Sequence, residues 1–200
     1  MTTLLQISTS LFSEDGQSSR LSRDFVAAWQ ARHPDGRVGG RDLAAQPLPH
    51  LTAERFQAFL AKPETRTPAQ QAIVAESDAL IAELQAADAV VLGLPMYNFG
   101  IPSTLKAWID HVARAGITFR YTANGPEGLL ADRKLTVLAA RGGHYVGTPR
   151  DTQTSYIRDF FNFIGIRDID FVYAEGLAVG EDARRTALDA AHQRIEALAA

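Results

Sequence analysis

The sequence predicts an α/β fold: a doubly wound, five-stranded parallel sheet with helices on both faces. Two observations carry that prediction. Segments with strand character alternate with segments of helical period along the whole chain, the pattern of βαβ units. The run Ala89-Val90-Val91-Leu92-Gly93-Leu94 is apolar at nearly every position, as expected of a parallel strand covered on both faces.

The first strand is Thr3-Leu4-Leu5-Gln6-Ile7-Ser8, and the polar loop 9–19 follows it. Leu21, Phe25, Ala28 and Trp29 then recur three and four apart, which places them on one helical face. Residues 37–43 form a second strand at an edge, weakened by Gly39 and Gly40. Pro47 and Pro49 mark a loop. Thr67-Pro68-Ala69-Gln70 is a capping box with proline at the first helical position. Ile73, Ser77, Leu80, Ile81 and Leu84 supply the buried stripe of the helix that ends near Ala87. The apolar run is the third strand, stopped by Pro95. Residues 103–115 form a helix with Leu105, Trp108, Ile109 and Val112 inward, and Gly116 suits a left-handed terminus. Residues 134–140 are the fourth strand, 152–165 an aromatic-rich helix and 169–174 the fifth strand. Glu181 and Asp182 open the last helix, with Leu188, Ala191, Ile195 and Leu198 buried. Residues 117–131 are extra to the minimal fold, and 117–122 alternate like a hairpin leg. The whole chain, 1–200, reads as one domain.

Composition narrows the function. A net charge of -3 disfavours a nucleic-acid role, which needs a basic face. With no cysteine there is no disulfide framework, thiolate metal site or cysteine nucleophile. The five histidines are scattered, so no metal site is expected. The N-terminus lacks the charged and apolar regions of a secretory signal. The longest apolar stretch is too short to span a bilayer. A cytoplasmic, membrane-free protein is the expectation.

In such sheets ligands sit beyond the carboxyl ends of the strands, so three loops matter. The loop after strand one carries Ser8, Thr9, Ser10, Ser13, Ser18 and Ser19 and runs into a helix start, an arrangement that suits a phosphate monoester. Alternatively Ser18 or Ser19 simply caps the helix. No G-x-G-x-x-G is present, and the glycines at 142 and 147 lack the lysine of a nucleoside-triphosphate loop. The loop after strand three, Pro95-Met96-Tyr97-Asn98-Phe99-Gly100-Ile101-Pro102, is stiffened by proline at both ends and suits a planar heterocycle with polar edges. It could equally pack on the neighbouring helix. The loop after strand four, Ala140-Arg141-Gly142-Gly143-His144-Tyr145, lets backbone approach a flat ligand closely. His144 reads as an exposed loop residue more readily than as a partner for ring charge, and Arg141 equally as a surface charge.

Together these segments resemble the FMN-dependent NADH-azoreductases, a family of flavodoxin-like quinone and azo-dye reductases. The resemblance covers essentially the whole chain. Its most specific motifs are Pro95-Met96-Tyr97-Asn98-Phe99, Ala113-Arg114-Ala115-Gly116-Ile117-Thr118-Phe119-Arg120-Tyr121-Thr122, Asn124-Gly125-Pro126-Glu127-Gly128 and Arg141-Gly142-Gly143. It implies one FMN per subunit. Ser10, Gly16, Gln17 and Ser18 would hold its phosphate. Met96, Tyr97, Asn98 and Phe99, with Ala140, Arg141, Gly142 and Gly143, would hold its ring. Family members often carry serine where this chain has Gly16 and Ala140; each departure removes a hydroxyl and keeps a backbone amide. The family is a homodimer with both active sites at the interface, where Tyr121 and Phe163 match substrate-pocket positions.

The resemblance further implies hydride transfer from NADH or NADPH to quinones and, adventitiously, azo compounds, by ping-pong kinetics in one shared pocket. No side chain is needed as nucleophile or obligatory acid; the protein positions the cofactor and tunes it. Backbone amides at the pyrimidine edge would stabilise negative charge on the ring. The rival expectation is a flavodoxin-type electron carrier or a flavin sensor without turnover. A charge of -3 is mild for a carrier steered to basic partners, and residues 117–131 have no use in a minimal one.

Overall fold

A computed structural model describes residues 2–199. The strands β1 (Thr3–Ser8), β2 (Arg37–Asp42), β3 (Ala89–Pro95), β6 (Lys134–Ala140) and β7 (Ile169–Ala174) form one parallel sheet in the order β2-β1-β3-β6-β7. This is the five-stranded, doubly wound flavodoxin-like order. Period-two alternation divides the core between its faces. Leu5, Ile7, Val90, Leu92, Leu94, Leu135 and Val137 pack against α3 (Pro68–Ala86), α4 (Ser103–Val112) and α5 (Thr152–Ile164). Leu4, Val91, Leu138 and Val172 face α1 (Gln17–Arg32) and α6 (Glu181–Leu198). β3 is buried on both sides, which is why its run lacks polar residues.

β4 (Phe119–Thr122) and β5 (Gly125–Gly128) make the small antiparallel hairpin that the alternation over 117–122 foreshadows. Gly39 and Gly40 do not break β2, because at an edge next to β1 little is packed on them. The Thr67–Gln70 capping box closes in both directions.

Three expectations are corrected. The loop after β1 is shorter than residues 9–19: α1 starts at Gln17, so Ser18 and Ser19 lie in its first turn. In α3 the buried position is Val74, and Ile73 is half-exposed. α4 ends at Val112 instead of Ala115. Gly116 does adopt a left-handed φ of 79°, but in the turn beyond, where its amide donates to the Phe119 carbonyl at 2.7 Å. Pro47 and Pro49 lie in a loop as expected; beyond it comes a helix the sequence did not announce, α2 (Ala53–Leu60), capped by the Thr52 hydroxyl accepting from Arg55 N at 3.3 Å.

One glycine fixes where α1 begins over the sheet. A Cβ on Gly93 would stand 3.0 Å from the Ser18 carbonyl oxygen. Its absence lets the first turn of α1 press onto β3, while the buried Thr9 hydroxyl donates to the Gly93 carbonyl at 2.7 Å.

Candidate functional site

The carboxyl ends of β1, β3 and β6 bring the three sequence-predicted loops together. Ser10 is buried; its hydroxyl lies 3.3 Å from the Tyr97 hydroxyl, which also accepts from Leu11 N at 3.2 Å. The first and second loops are thereby joined. At the other side Met96 N donates to the Ala140 carbonyl at 3.1 Å, and the Phe99 and Tyr145 rings meet edge-on at 5.7 Å. So the second and third loops are joined as well.

The helix start fits an anion. α1 has Gly16 as its N-cap, with no side-chain cap, and its first helical bond is Arg20 N to the Gly16 carbonyl. Among the described residues, the amides of Gln17, Ser18 and Ser19 donate to nothing. Free amides at a helix start attract negative charge. Ser18 is 1% exposed and its hydroxyl has no partner. It is therefore not the helix cap. An orphaned buried hydroxyl beside three free amides is what a phosphate would satisfy.

Gly16 departs from the resemblance in a way the structure explains. A Cβ there would fall 2.0 Å from the Ser10 hydroxyl oxygen, so a serine at 16 requires Ser10 to turn aside. The Gly16 amide itself is engaged, at 3.4 Å, with the Ser13 carbonyl, and the amides of residues 17–19 are the open ones.

Residues 97–100 form a tight turn bonded in both directions, Tyr97 N to Gly100 O at 3.2 Å and Gly100 N to Tyr97 O at 2.9 Å. Asn98 and Phe99 take φ values of 50° and 63°. Asparagine tolerates that region; phenylalanine is strained there by about 1 kcal/mol or more. The Asn98 and Phe99 amides have no partner among the described residues, and Phe99 is 50% exposed. In the third loop the amides of Gly142 and Gly143 are likewise free. Both loops thus leave backbone donors unpaired among the described residues.

Arg141 is neither a surface charge nor available to a ligand. It is 1% exposed, its amide donates to the Ala174 carbonyl, and its guanidinium is held by Asp151 and Glu175 at 2.8 and 3.0 Å. Its function is internal. Sequence reading missed these partners, together with Gln153, because they lie on other elements. His144 is exposed, as expected. Phe163 packs on Phe119 with centroids 4.2 Å apart and the rings tilted by 40°, and Phe119 meets Tyr121 edge-on at 5.6 Å. Phe160 and Phe161 stay in the core, so Phe163 is the one of the three turned toward the hairpin. Tyr121 is 76% exposed.

A separate cleft of about 320 Å³ lies on the β2 side of the first loop, lined in part by Ser8, Ser19, Arg41 and Asp42. The residues it shares with the three loops are confined to the first of them, so it does not coincide with the junction of the second and third loops. Its arginines are paired, Arg41 with Glu83 and Arg23 with Glu14.

Comparison with known proteins agrees with this layout. A family model described as "Flavodoxin-like fold" matches residues 2–199. An FMN-dependent NADH:quinone oxidoreductase of Cellvibrio japonicus is 58% identical over 181 residues, 90% of this chain and 91% of that protein. One from Alcanivorax borkumensis is 56% identical over 192 residues, 96% and 97% of the two chains. Among solved structures, an azoreductase from Bacillus anthracis aligns with a TM-score of 0.91 at 29% identity, covering 100% of this chain and 99% of that one. An FMN-dependent NADH-azoreductase from the same species, in complex with FMN, aligns at 0.90 with 26% identity, covering 100% and 98%.

Proposed function

The chain belongs to the flavodoxin-like family represented by those relatives, and from that premise we propose that it is an FMN-dependent NADH:quinone oxidoreductase with azoreductase activity. The observation that carries the proposal is the orphaned Ser18 hydroxyl among three free amides at the start of α1. It lies at the end of a sheet whose other two loops offer open backbone edges. The phosphate goes to Ser10, Gln17, Ser18 and the N-cap Gly16. The ring goes to Met96, Tyr97, Asn98, Phe99, Ala140, Gly142 and Gly143.

Bound FMN supplies a two-electron hydride relay between a nicotinamide donor and a quinone or azo acceptor. The chain supplies the rest. The first turn of α1 neutralises the phosphate with amides and hydroxyls, without a lysine. The 97–100 turn and Gly142-Gly143 direct backbone donors at the ring edge, where they favour negative charge. Because donor and acceptor use one pocket in turn, the kinetics are ping-pong, and NADPH is an alternative donor to NADH.

We further propose that the active form is a homodimer of one-domain subunits in the cytoplasm. Leu11, Phe12, Phe99, Tyr121 and Val146 are exposed apolar side chains on the loops and hairpin around the site (45–76% exposed). A second copy would cover them, and Tyr121 and Phe163 would then wall the acceptor pocket. Solution scattering or ultracentrifugation is expected to give about twice 21.8 kDa; a monomer at micromolar concentration would refute the dimer.

The decisive test is spectroscopic. The purified protein is expected to carry, or take up, FMN that bleaches under NADH and recovers with a quinone. Flavin that NADH leaves oxidised would turn the assignment toward a carrier or sensor. A protein that ignores added FMN would overturn it.

A further inference from the structure

A fully buried cation lies behind the two ring loops. Arg141 donates through Nε to Gln153 Oε1 at 3.2 Å, through Nη1 to Glu175 Oε1 at 3.0 Å, and through Nη2 to Asp151 Oδ1 at 2.8 Å and Thr154 Oγ1 at 3.3 Å. The Tyr173 ring lies 5.0 Å from the guanidinium carbon. A buried charge needs such a set of partners. Two of those partners, however, do more than neutralise it.

Gln153, 0% exposed, turns its amide nitrogen onto the second loop, donating to the Pro95 carbonyl at 2.9 Å and the Gly100 carbonyl at 3.0 Å. These two carbonyls bracket the 97–100 turn that carries Asn98 and Phe99. Glu175 does the same for the third loop: its Oε1 accepts from Tyr145 N at 2.9 Å and Val146 N at 3.0 Å. Those amides lie two and three residues beyond Gly143 in the same loop. One guanidinium therefore reaches both ring loops, each through a single bridging side chain.

We propose that Gln153 and Glu175, hung on the buried Arg141, are positioning residues that hold the 97–100 turn and the 142–146 loop in fixed relation, so that their backbone donors meet one ring together. The inference rests on the flavin reading given above. Hydride transfer tolerates little misplacement, and beyond the direct links already described, Met96 N to the Ala140 carbonyl and the Phe99–Tyr145 ring contact, Gln153 and Glu175 fix the backbone of each loop to one common group. The bonding directions are specific. Gln153 must accept from a cation on one side and donate to two carbonyls on the other, which only a carboxamide of this length does. Glutamate in its place would face both carbonyls with an acceptor. Glu175 uses chiefly one oxygen for all three donors, so glutamine retains that oxygen and alanine does not.

The test uses the full chain with Gln153→Glu, Glu175→Ala and Glu175→Gln. The readouts are FMN affinity by titration of apoprotein, the rate of flavin reduction at saturating FMN and NADH, and the thermal midpoint of each apoprotein. Gln153→Glu and Glu175→Ala are expected to weaken FMN binding roughly tenfold, the scale of one lost well-placed hydrogen bond. Both are also expected to slow flavin reduction at saturation, which a loss of stability alone does not do. Glu175→Gln is expected to recover most of both losses. Affinity and saturated rate within twofold of the parent in Gln153→Glu and Glu175→Ala would overturn the proposal. So would losses that glutamine at 175 fails to rescue. If the parent itself binds no FMN, the functional reading falls with it; if the parent binds and the variants match it, only the positioning role falls.

Discussion

Arg141→Leu is expected to lower the stability of the apoprotein by about 3–5 kcal/mol, the range found when one partner of a buried ion pair is removed. Leucine fills part of the space but leaves two carboxylates facing each other's vicinity without a cation. The Asp151 and Glu175 side chains are only 8% and 13% exposed, so water cannot replace the guanidinium. Urea unfolding followed by the fluorescence of the buried Trp29 and Trp108 measures the loss. A loss below about 1 kcal/mol would mean that the network relaxes around the gap.

The same variant has a pH signature. Burial pushes the Asp151 carboxyl up, but bonds from Arg141 and Thr154 outweigh it and hold the group below its ordinary value of 3.8. A lowered folded value means stability that is fully present above pH 3.8 and lost as pH falls through the folded value. Without Arg141 the balance inverts: burial dominates, the folded value rises, and acid relieves the variant instead of harming it. The stability gap between parent and Arg141→Leu should therefore narrow as pH falls from about 7 to about 4.

That network also shows where sequence reading stops. β3 was legible because burial on both faces removes polar residues from a whole run, and α3 because Thr67 and Gln70 signal its start locally. The Arg141 partners lie 10 to 34 residues away, at the N-cap and first turn of α5 and after β7, and no local pattern connects them. α2 escaped for a different reason. Its apolar residues Phe56, Phe59 and Leu60 do fall at helical spacing, but in eight residues they make a single i, i+3, i+4 set, and only Ala58 is fully buried. The turn at 97–100 placed its left-handed residues at Asn98 and Phe99, ahead of the only glycine, Gly100. Turn propensity alone would not put phenylalanine there. The hydroxyl-rich loop after β1 was visible in composition, yet whether Ser18 caps the helix required its hydrogen bonds: Gly16 is the N-cap and the Ser18 hydroxyl has no partner.

Ser18→Ala is expected to act in opposite directions on the empty and the loaded protein. In the apoprotein the hydroxyl is buried and partnerless, so removing it abolishes an unmet desolvation penalty. Stability should stay level or rise by up to about 1 kcal/mol, or roughly 2–4 °C in Tm for a chain of this size. In the loaded protein, on the proposed placement, the same hydroxyl would donate to a phosphate oxygen, a charge-assisted bond of about 1.5–3 kcal/mol. Its loss should weaken FMN binding roughly ten- to hundredfold and reduce the stabilisation that saturating FMN confers. Thr136→Val is the matched control. Thr136 Oγ1 is also buried and unpartnered, but in the middle of β6, inside the sheet. It should share the neutral or favourable effect on the apoprotein and leave FMN affinity unchanged. Only a hydroxyl placed for the phosphate separates the two variants; if both leave affinity untouched, the phosphate lies elsewhere than the first turn of α1.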